Sequence, residues 1–331
     1  MKVFALTIVI FCCLSSTSGQ TTGGAVEETI QISAEVVKLF DAGRFAEALP
    51  LAREVVVRRE KVYGLDHIML GQSLRNLSYI ELKLNRRFEA LANFERAMNI
   101  YEMNEPLSKS DQDSQAEMFE TIAFVNITSG TPARSVSKLQ QAIAIRERLN
   151  GAESVEIAGP LKSLGQVYSG QGEFEKAVPL LLRSLEIRKK MAIEDPTDNL
   201  ILRETTACAL HKTGRGGEVE QVNLKFRTMS KSSSEIPKDN TVNGAGLNGK
   251  ATTLPDPVAP RLPKSERESG SVVVRVLVNE SGRVISACSV SGPRIFHTAA
   301  EAAAFRAVFP PLKVDGKAVK VSGTMNYNFA L

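Results

Sequence analysis

The sequence predicts an all-α helical-repeat solenoid followed by a small α+β domain with the order β-β-α-β and an antiparallel sheet. Three observations predict it. Gly43, Asn85, Gly130, Gly172 and Gly214 recur at intervals of about 42 residues, as the ends of first helices in five successive units. Five positions after each stands Ala48, Ala90, Ser135, Ala177 or Val219, mostly small enough for a second helix to approach the first. Near the C-terminus, Val319, Val321, Met325, Tyr327 and Phe329 alternate with Lys320, Ser322, Thr324, Asn326 and Asn328, as in a half-buried strand.

The chain divides into residues 1–19, a signal segment; 30–229, the repeat array; 230–263, a Ser/Gly/Pro-rich linker expected to be flexible; and 264–331, the small domain. Lys2 precedes an apolar run from Val3 to Leu14, about a dozen residues and short for a membrane span. Small residues from Ser15 to Gly19 suit cleavage before Gln20. The expectation is an exported, periplasmic protein without stable membrane insertion once the signal is removed. Of the four cysteines, Cys208 and Cys288 remain after cleavage; each is expected to be a small core residue, with a bridge between them open in an oxidising compartment. The net charge of +4 is spread among interspersed acids and bases, which points away from a nucleic-acid partner.

Within the array, apolar residues follow helical spacing in first helices (Ile32, Val36 and Leu39; Leu74 and Leu77; Phe119, Ile122 and Ala123; Leu161 and Leu164) and in second helices (Leu49, Ala52 and Val55; Phe94, Ala97 and Ile100; Leu139, Ala142 and Ile145; Leu181, Leu185 and Ile187). Repeat four reads Leu161, Leu164-Gly165, Tyr168, Gly172, Phe174 and Ala177, and repeat one has Gly43, Phe45, Glu47 and Ala48. This frame resembles the tetratricopeptide repeat family. Tyr63-Gly64-Leu65-Asp66-His67 is similar to the loop of its longer, kinesin-light-chain-like members. Repeat three departs at Asn126 and Pro132, and repeat five at Gly214-Arg215-Gly216-Gly217. The resemblance implies a groove lined mainly by first helices. The polar residues interleaved with the packing frame, Arg75, Asn76, Glu120, Lys162 and Gln166, are the candidate groove residues.

In the small domain, Val272–Val278 and Arg283–Val290 read as a hairpin around Asn279–Gly282, Thr298–Val308 as a helix stopped by Pro310-Pro311, and Val319–Phe329 as the last strand after an Asp315-Gly316 turn. One sheet face should pack on the helix and the other meet water. Gly270, Gly282-Arg283-Val284, Ala299-Ala300-Glu301-Ala302, Phe309-Pro310, Asp315-Gly316-Lys317 and Tyr327-x-Phe329 together resemble the C-terminal domain of TonB. That resemblance implies recognition of an extended peptide, such as that of a TonB-dependent outer-membrane receptor, by strand addition at an exposed edge. The matching edge is the last strand, with Lys320, Ser322, Thr324, Asn326 and Asn328 as candidate binding residues.

His67, His211 and His297 are far apart, and neither a metal-ligand spacing, a phosphate loop nor a nucleophile–base motif accompanies them. The sequence therefore reads as a non-enzymatic adaptor with no cofactor and with protein or peptide partners. The alternative is a TonB-type energy transducer that retains residues 3–18 as an inner-membrane anchor.

Overall fold

The computed structural model describes residues 20–193, 196–227, 241–258, 260 and 269–330. The stretch 1–19, expected to be a signal segment, lies outside the described residues, as does the triple serine at 232–234. The chain forms two compact units that meet at Leu149/Asn150.

In the N-terminal unit, α1 (Gln20–Asp41) packs on α2 (Phe45–Tyr63), and α3 (Ile68–Lys83) on both α2 and α4 (Arg87–Met103). Helix α5 (Lys109–Thr128) follows, packed on α4. It leads through a 3-10 turn at Pro132–Ser135 into α6 (Val136–Asn150). The core runs through Val36, Ala52, Leu74, Phe94, Ala97 and Phe119. The C-terminal unit holds α7 (Val155–Gly170) on α8 (Phe174–Lys190), then α9 (Pro196–Lys212), a 3-10 turn at Gly216–Glu218 and α10 (Val219–Arg227).

Each first helix ends in the same way. Gly43, Asn85, Gly130, Gly172 and Gly214 have φ of 72°, 60°, 78°, 78° and 77°. At each, the left-handed residue donates to the carbonyl three positions back and its successor to the carbonyl five positions back, as in Gly172 N to Ser169 O (3.1 Å) and Glu173 N to Tyr168 O (2.9 Å). This paired closure satisfies carbonyls that a helix end would otherwise strand. The chain then reverses, and Ala48, Ala90, Ser135 and Ala177 become fully buried where the second helix crosses. In the long loop, the His67 ring accepts a hydrogen bond from Met69 N at the start of α3 and stacks on Tyr63 with centroids 4.7 Å apart. Pro132, which cannot donate a backbone hydrogen bond, stands in the 3-10 turn that leads into the second helix of the third hairpin.

The small domain contains β1 (Thr241–Gly246), β2 (Gly270–Val278), β3 (Val284–Ser291), α11 (His297–Arg306), a two-stranded hairpin of β4 (Lys313–Val314) and β5 (Lys317–Ala318), and β6 (Lys320–Phe329). The main sheet has the order β1-β6-β2-β3, with β2 antiparallel to both neighbours and β1 parallel to β6. Val272, Val274, Val276, Met325, Tyr327 and Phe329 face α11, where Phe296 stacks on Phe329 at 4.2 Å. The predicted alternation holds on this apolar side.

Three expectations are corrected. The stretch 230–263 is not all linker, because residues 241–246 form a strand of the sheet and 248–250 a 3-10 turn. The opposite sheet face does not simply meet water: α9 packs against β3, and Leu277 on that side is fully buried. Cys208 on α9 and Cys288 on β3 are not separate core thiols but a disulfide, with Cα atoms 5.7 Å apart. The array's last two hairpins and the small domain thus share one compact unit.

Two outcomes follow from this packing. A methyl group on Gly165 would sit 2.7 Å from Leu181 Cγ, whereas one on Gly159 in the same helix meets nothing within 4 Å. Gly159→Ala should therefore stabilise by about 0.5–1 kcal/mol through helix propensity, while Gly165→Ala should destabilise by about 1–2 kcal/mol, because overpacking outweighs the same gain. Urea unfolding followed by circular dichroism compares the two. The disulfide closes a separation of 80 residues, so reduction or Cys208→Ser should cost the C-terminal unit about 2–4 kcal/mol, read as a lower urea midpoint.

Candidate peptide-binding surfaces

The sheet edge is built as follows. Strand β6 lies second in the sheet, so it is not the exposed edge expected of the last strand. Thr241, Val242 and Asn243 lie opposite Lys320, Val321 and Ser322, the register then slips, and Gly246 lies opposite Thr324. Leu247 N donates to Thr324 O (2.8 Å). The Asn248 carboxamide continues the ladder as a strand residue would: Asn326 N donates to Asn248 Oδ1 (2.8 Å) and Asn248 Nδ2 to Asn326 O (2.7 Å). Leu247 is 3% exposed and belongs to the sheet core. Thr253 then bridges to Val308, which ties the segment to the end of α11.

Of the predicted edge residues, Ser322 and Thr324 are half-buried beside β1, while Asn326 and Asn328 are exposed. Lys320 departs from its expected outward position; it is 6% exposed and its ammonium meets Glu280 at 2.9 Å. Sequence reasoning missed Leu247 and Asn248. A signal for them exists in β6 itself, whose apolar alternation breaks at Gly323 between Val321 and Met325.

The helical surface falls in two parts. In the N-terminal unit, Arg59, Gln72, Arg75, Asn76, Asp111 and Ser114 line one cavity. Arg75 donates to Ser114 Oγ and, at 3.3 and 3.2 Å, to Asn76 Oδ1; Arg59 donates to Met69 O (2.8 Å) and Ser73 Oγ (2.9 Å). These are neutral acceptors. Burial pulls the Arg59 guanidinium below its usual pKa range, with Tyr63 opposing. Glu120 does not line this cavity. It accepts from Arg146 Nε at 3.1 Å, and burial, partly offset by Arg146, raises its carboxyl above the usual range.

In the C-terminal unit, Lys162 pairs with Asp198, which also accepts from Arg188 Nη2 at 2.6 Å. Gln166 is half-buried on the same helix as Lys162. Arg75, Asn76 and Glu120 thus belong to one unit, and Lys162 and Gln166 to the other. The pairs Gln72–Asp111 and Arg75–Ser114 are each 39 residues apart, and Lys162–Asp198 are 36 apart. Each pair joins successive first helices six residues short of the repeat period, so a residue of one first helix meets the earlier part of the next. Among the described residues, no group of three His, Cys, Asp or Glu side chains is arranged to hold a metal ion, and no helix is long and apolar enough to cross a membrane.

The junction of α9 with the sheet frames the second surface. Glu204 on α9 holds Arg275 of β2 through two bonds of 2.9 and 3.0 Å. Lys212 reaches Glu301 Oε1 (2.8 Å) and His297 Nδ1 (2.9 Å), and Glu301 Oε1 also accepts from Ser289 N on β3 (2.8 Å). The lysine can only donate, so Nδ1 accepts and Nε2–H donates to Gly292 O at 3.0 Å.

This architecture is a helical-repeat array followed by a small domain built on a four-stranded sheet, and the family comparisons match both parts. The tetratricopeptide repeat model matches residues 39–103 and 114–190, and the model for the Gram-negative bacterial TonB protein C-terminal matches 255–331. The chain is a tetratricopeptide repeat protein with a TonB C-terminal-like domain. Both are interaction modules. A comparison with curated proteins gave no match. Among solved structures, RapI in its apo form is similar at 17% identity over 64% of this chain and 56% of its own, with a TM-score of 0.52. BtubC (BKLC) from P. vanneervenii is similar at 19% identity over 63% of this chain and 88% of its own, TM-score 0.49. YrrB, a TPR protein with an unusual peptide-binding site, is similar at 12% identity over 65% and 94%, TM-score 0.45.

The junction carries a pH dependence. Burial, then the Lys212 charge, hold the His297 imidazole below its ordinary pKa of 6.5, with the Gly292 carbonyl and Glu301 opposing; burial followed by Arg275 does the same for His211. Between the lowered folded value and 6.5, the unfolded chain binds the proton and the folded chain does not, so stability falls as pH drops through that window and is unaffected above it. The urea midpoint should therefore fall between pH 7.5 and 5.5, and His297→Gln should reduce that fall.

Proposed function

We propose that this protein is an exported adaptor of the Gram-negative cell envelope. Its helical groove holds one protein partner, and its C-terminal sheet takes an extended peptide from a second, such as an outer-membrane receptor, along β6. One observation carries the reading: the β6 edge already accepts a parallel strand, so its backbone geometry suits strand addition. The match to the TonB C-terminal model supports the receptor class.

Each backbone bond in such a ladder contributes about 0.5–1.5 kcal/mol net. Four or five bonds alone therefore give a weak, reversible complex, to which side-chain contacts add affinity and selectivity. In the groove, Arg59 and Arg75 present guanidiniums whose hydrogen bonds go to neutral oxygens. An acidic side chain on a partner would replace those bonds with charge-assisted ones, which are roughly twice as strong.

Photo-crosslinkers placed at Asn76 and at Asn328 in the living cell test both halves. The expected result is a distinct protein adduct at each position, with Arg75→Ala depleting only the first. An absence of adducts at Asn328 under every growth condition would refute the sheet's role. N-terminal sequencing of the exported protein should give a chain that begins at Gln20.

A further inference from the structure

The β6 strand lacks one core side chain. Along its apolar face, Val319, Val321, Met325, Tyr327 and Phe329 are all buried, but position 323 is glycine. A Cβ on Gly323 would collide with the Gly244 carbonyl and come within 2.8 Å of Leu247 Cγ and Cδ1. The place left open in β6 is thus filled by Leu247, from a segment outside the strand. Gly244 is matched to it: a Cβ there would lie 2.7 Å from Val321 Cγ1 and 3.1 Å from Leu247 Cδ2. Directly after Leu247, the Asn248 carboxamide pairs with both backbone groups of Asn326. The ladder of this segment stops there, and Asn328 beyond it is exposed.

We infer that residues 241–248 are a built-in occupant of the β6 site and that their pattern specifies the partner: an extended peptide parallel to β6, glycine where Gly244 sits, an aliphatic side chain in the Gly323 notch, and a carboxamide after it. The inference rests on the strand-addition reading above and deepens it by naming the ligand's chemistry and its competitor. The occupant is tethered, so its local concentration is high and an incoming peptide must displace it.

The test uses the full-length chain and a fluorescent peptide of residues 241–250. The double variant Leu247→Asp with Asn248→Ala removes the anchor and the carboxamide clamp, freeing the edge. It should bind the peptide at least tenfold more tightly than the unaltered protein, and a peptide carrying Leu247→Asp should not bind. Adding Gly323→Leu to the freed variant fills the notch from within. This should abolish peptide binding while raising the urea midpoint of the freed variant, which separates a blocked site from an unfolded one.

Hydrogen exchange at the Asn326 amide separates the two levels of the argument. Equal protection in the unaltered and freed proteins would overturn the self-occupied edge and leave strand addition standing on the crosslinks. Protection lost in the freed variant, with no peptide bound in trans, would show that the edge opens but accepts no strand, and would overturn both.

Discussion

Helix α9 serves two cores at once, and the C-terminal unit depends on that double packing. On one side it lies against α8 and α10, as the first helix of a repeat should; on the other it lies against β3 of the sheet. Leu200, Leu202, Thr206, Ala207, Ala209 and Leu210 are all nearly or fully buried, so the middle of the helix has no solvent stripe. A helix covered all round cannot keep the one-sided pattern of an ordinary repeat. The Cys208–Cys288 bridge and the Glu204–Arg275 pair fix the same contact covalently and electrostatically.

Once α9 covers the β3 side of the sheet, the other side must be settled as well. An open β6 edge would leave a row of unpaired backbone groups, a standing template for association with other chains. The segment at 241–248 closes it with a strand, a buried leucine and a side-chain amide that mimics backbone. At the β3 margin, Glu301 accepts from Ser289 N and covers one group there. Both margins are thus managed by the chain itself, but by different means: a side chain on β3 and a displaceable strand on β6.

The helical part applies a different logic. Successive first helices are tied by polar side chains, as Gln72 is to Asp111 in one unit and Lys162 to Asp198 in the other. Second helices contribute long cations from corresponding positions, with Arg146 reaching Asp113 and Glu120 and Arg188 reaching Asp198. Arg59 occupies the corresponding place earlier in the chain, but its bonds go to a carbonyl and a hydroxyl. A surface of this kind is rigid in backbone and varied in charge from repeat to repeat, which suits recognition.

The sequence by itself determined whatever rests on local geometry. The left-handed turn at Gly43, Asn85, Gly130, Gly172 and Gly214 is dictated by residues that tolerate positive φ, so their recurrence located five helix ends. The β-branched run Val272–Val278 marks a strand by composition, and the alternation of β6 is a period-two signal that needs no partner to be read. What only the tertiary structure decided is pairing. Residues 241–248 carry Asn, Gly and Thr and look like linker, because their strand conformation comes from the edge they complete and not from their own propensity. Likewise Cys208 and Cys288, 80 residues apart, are joined only because α9 lies on the sheet. Gly323 stands between the two cases: its break in the apolar alternation was legible, but the side chain that fills it belongs to a stretch that no local rule could connect to it.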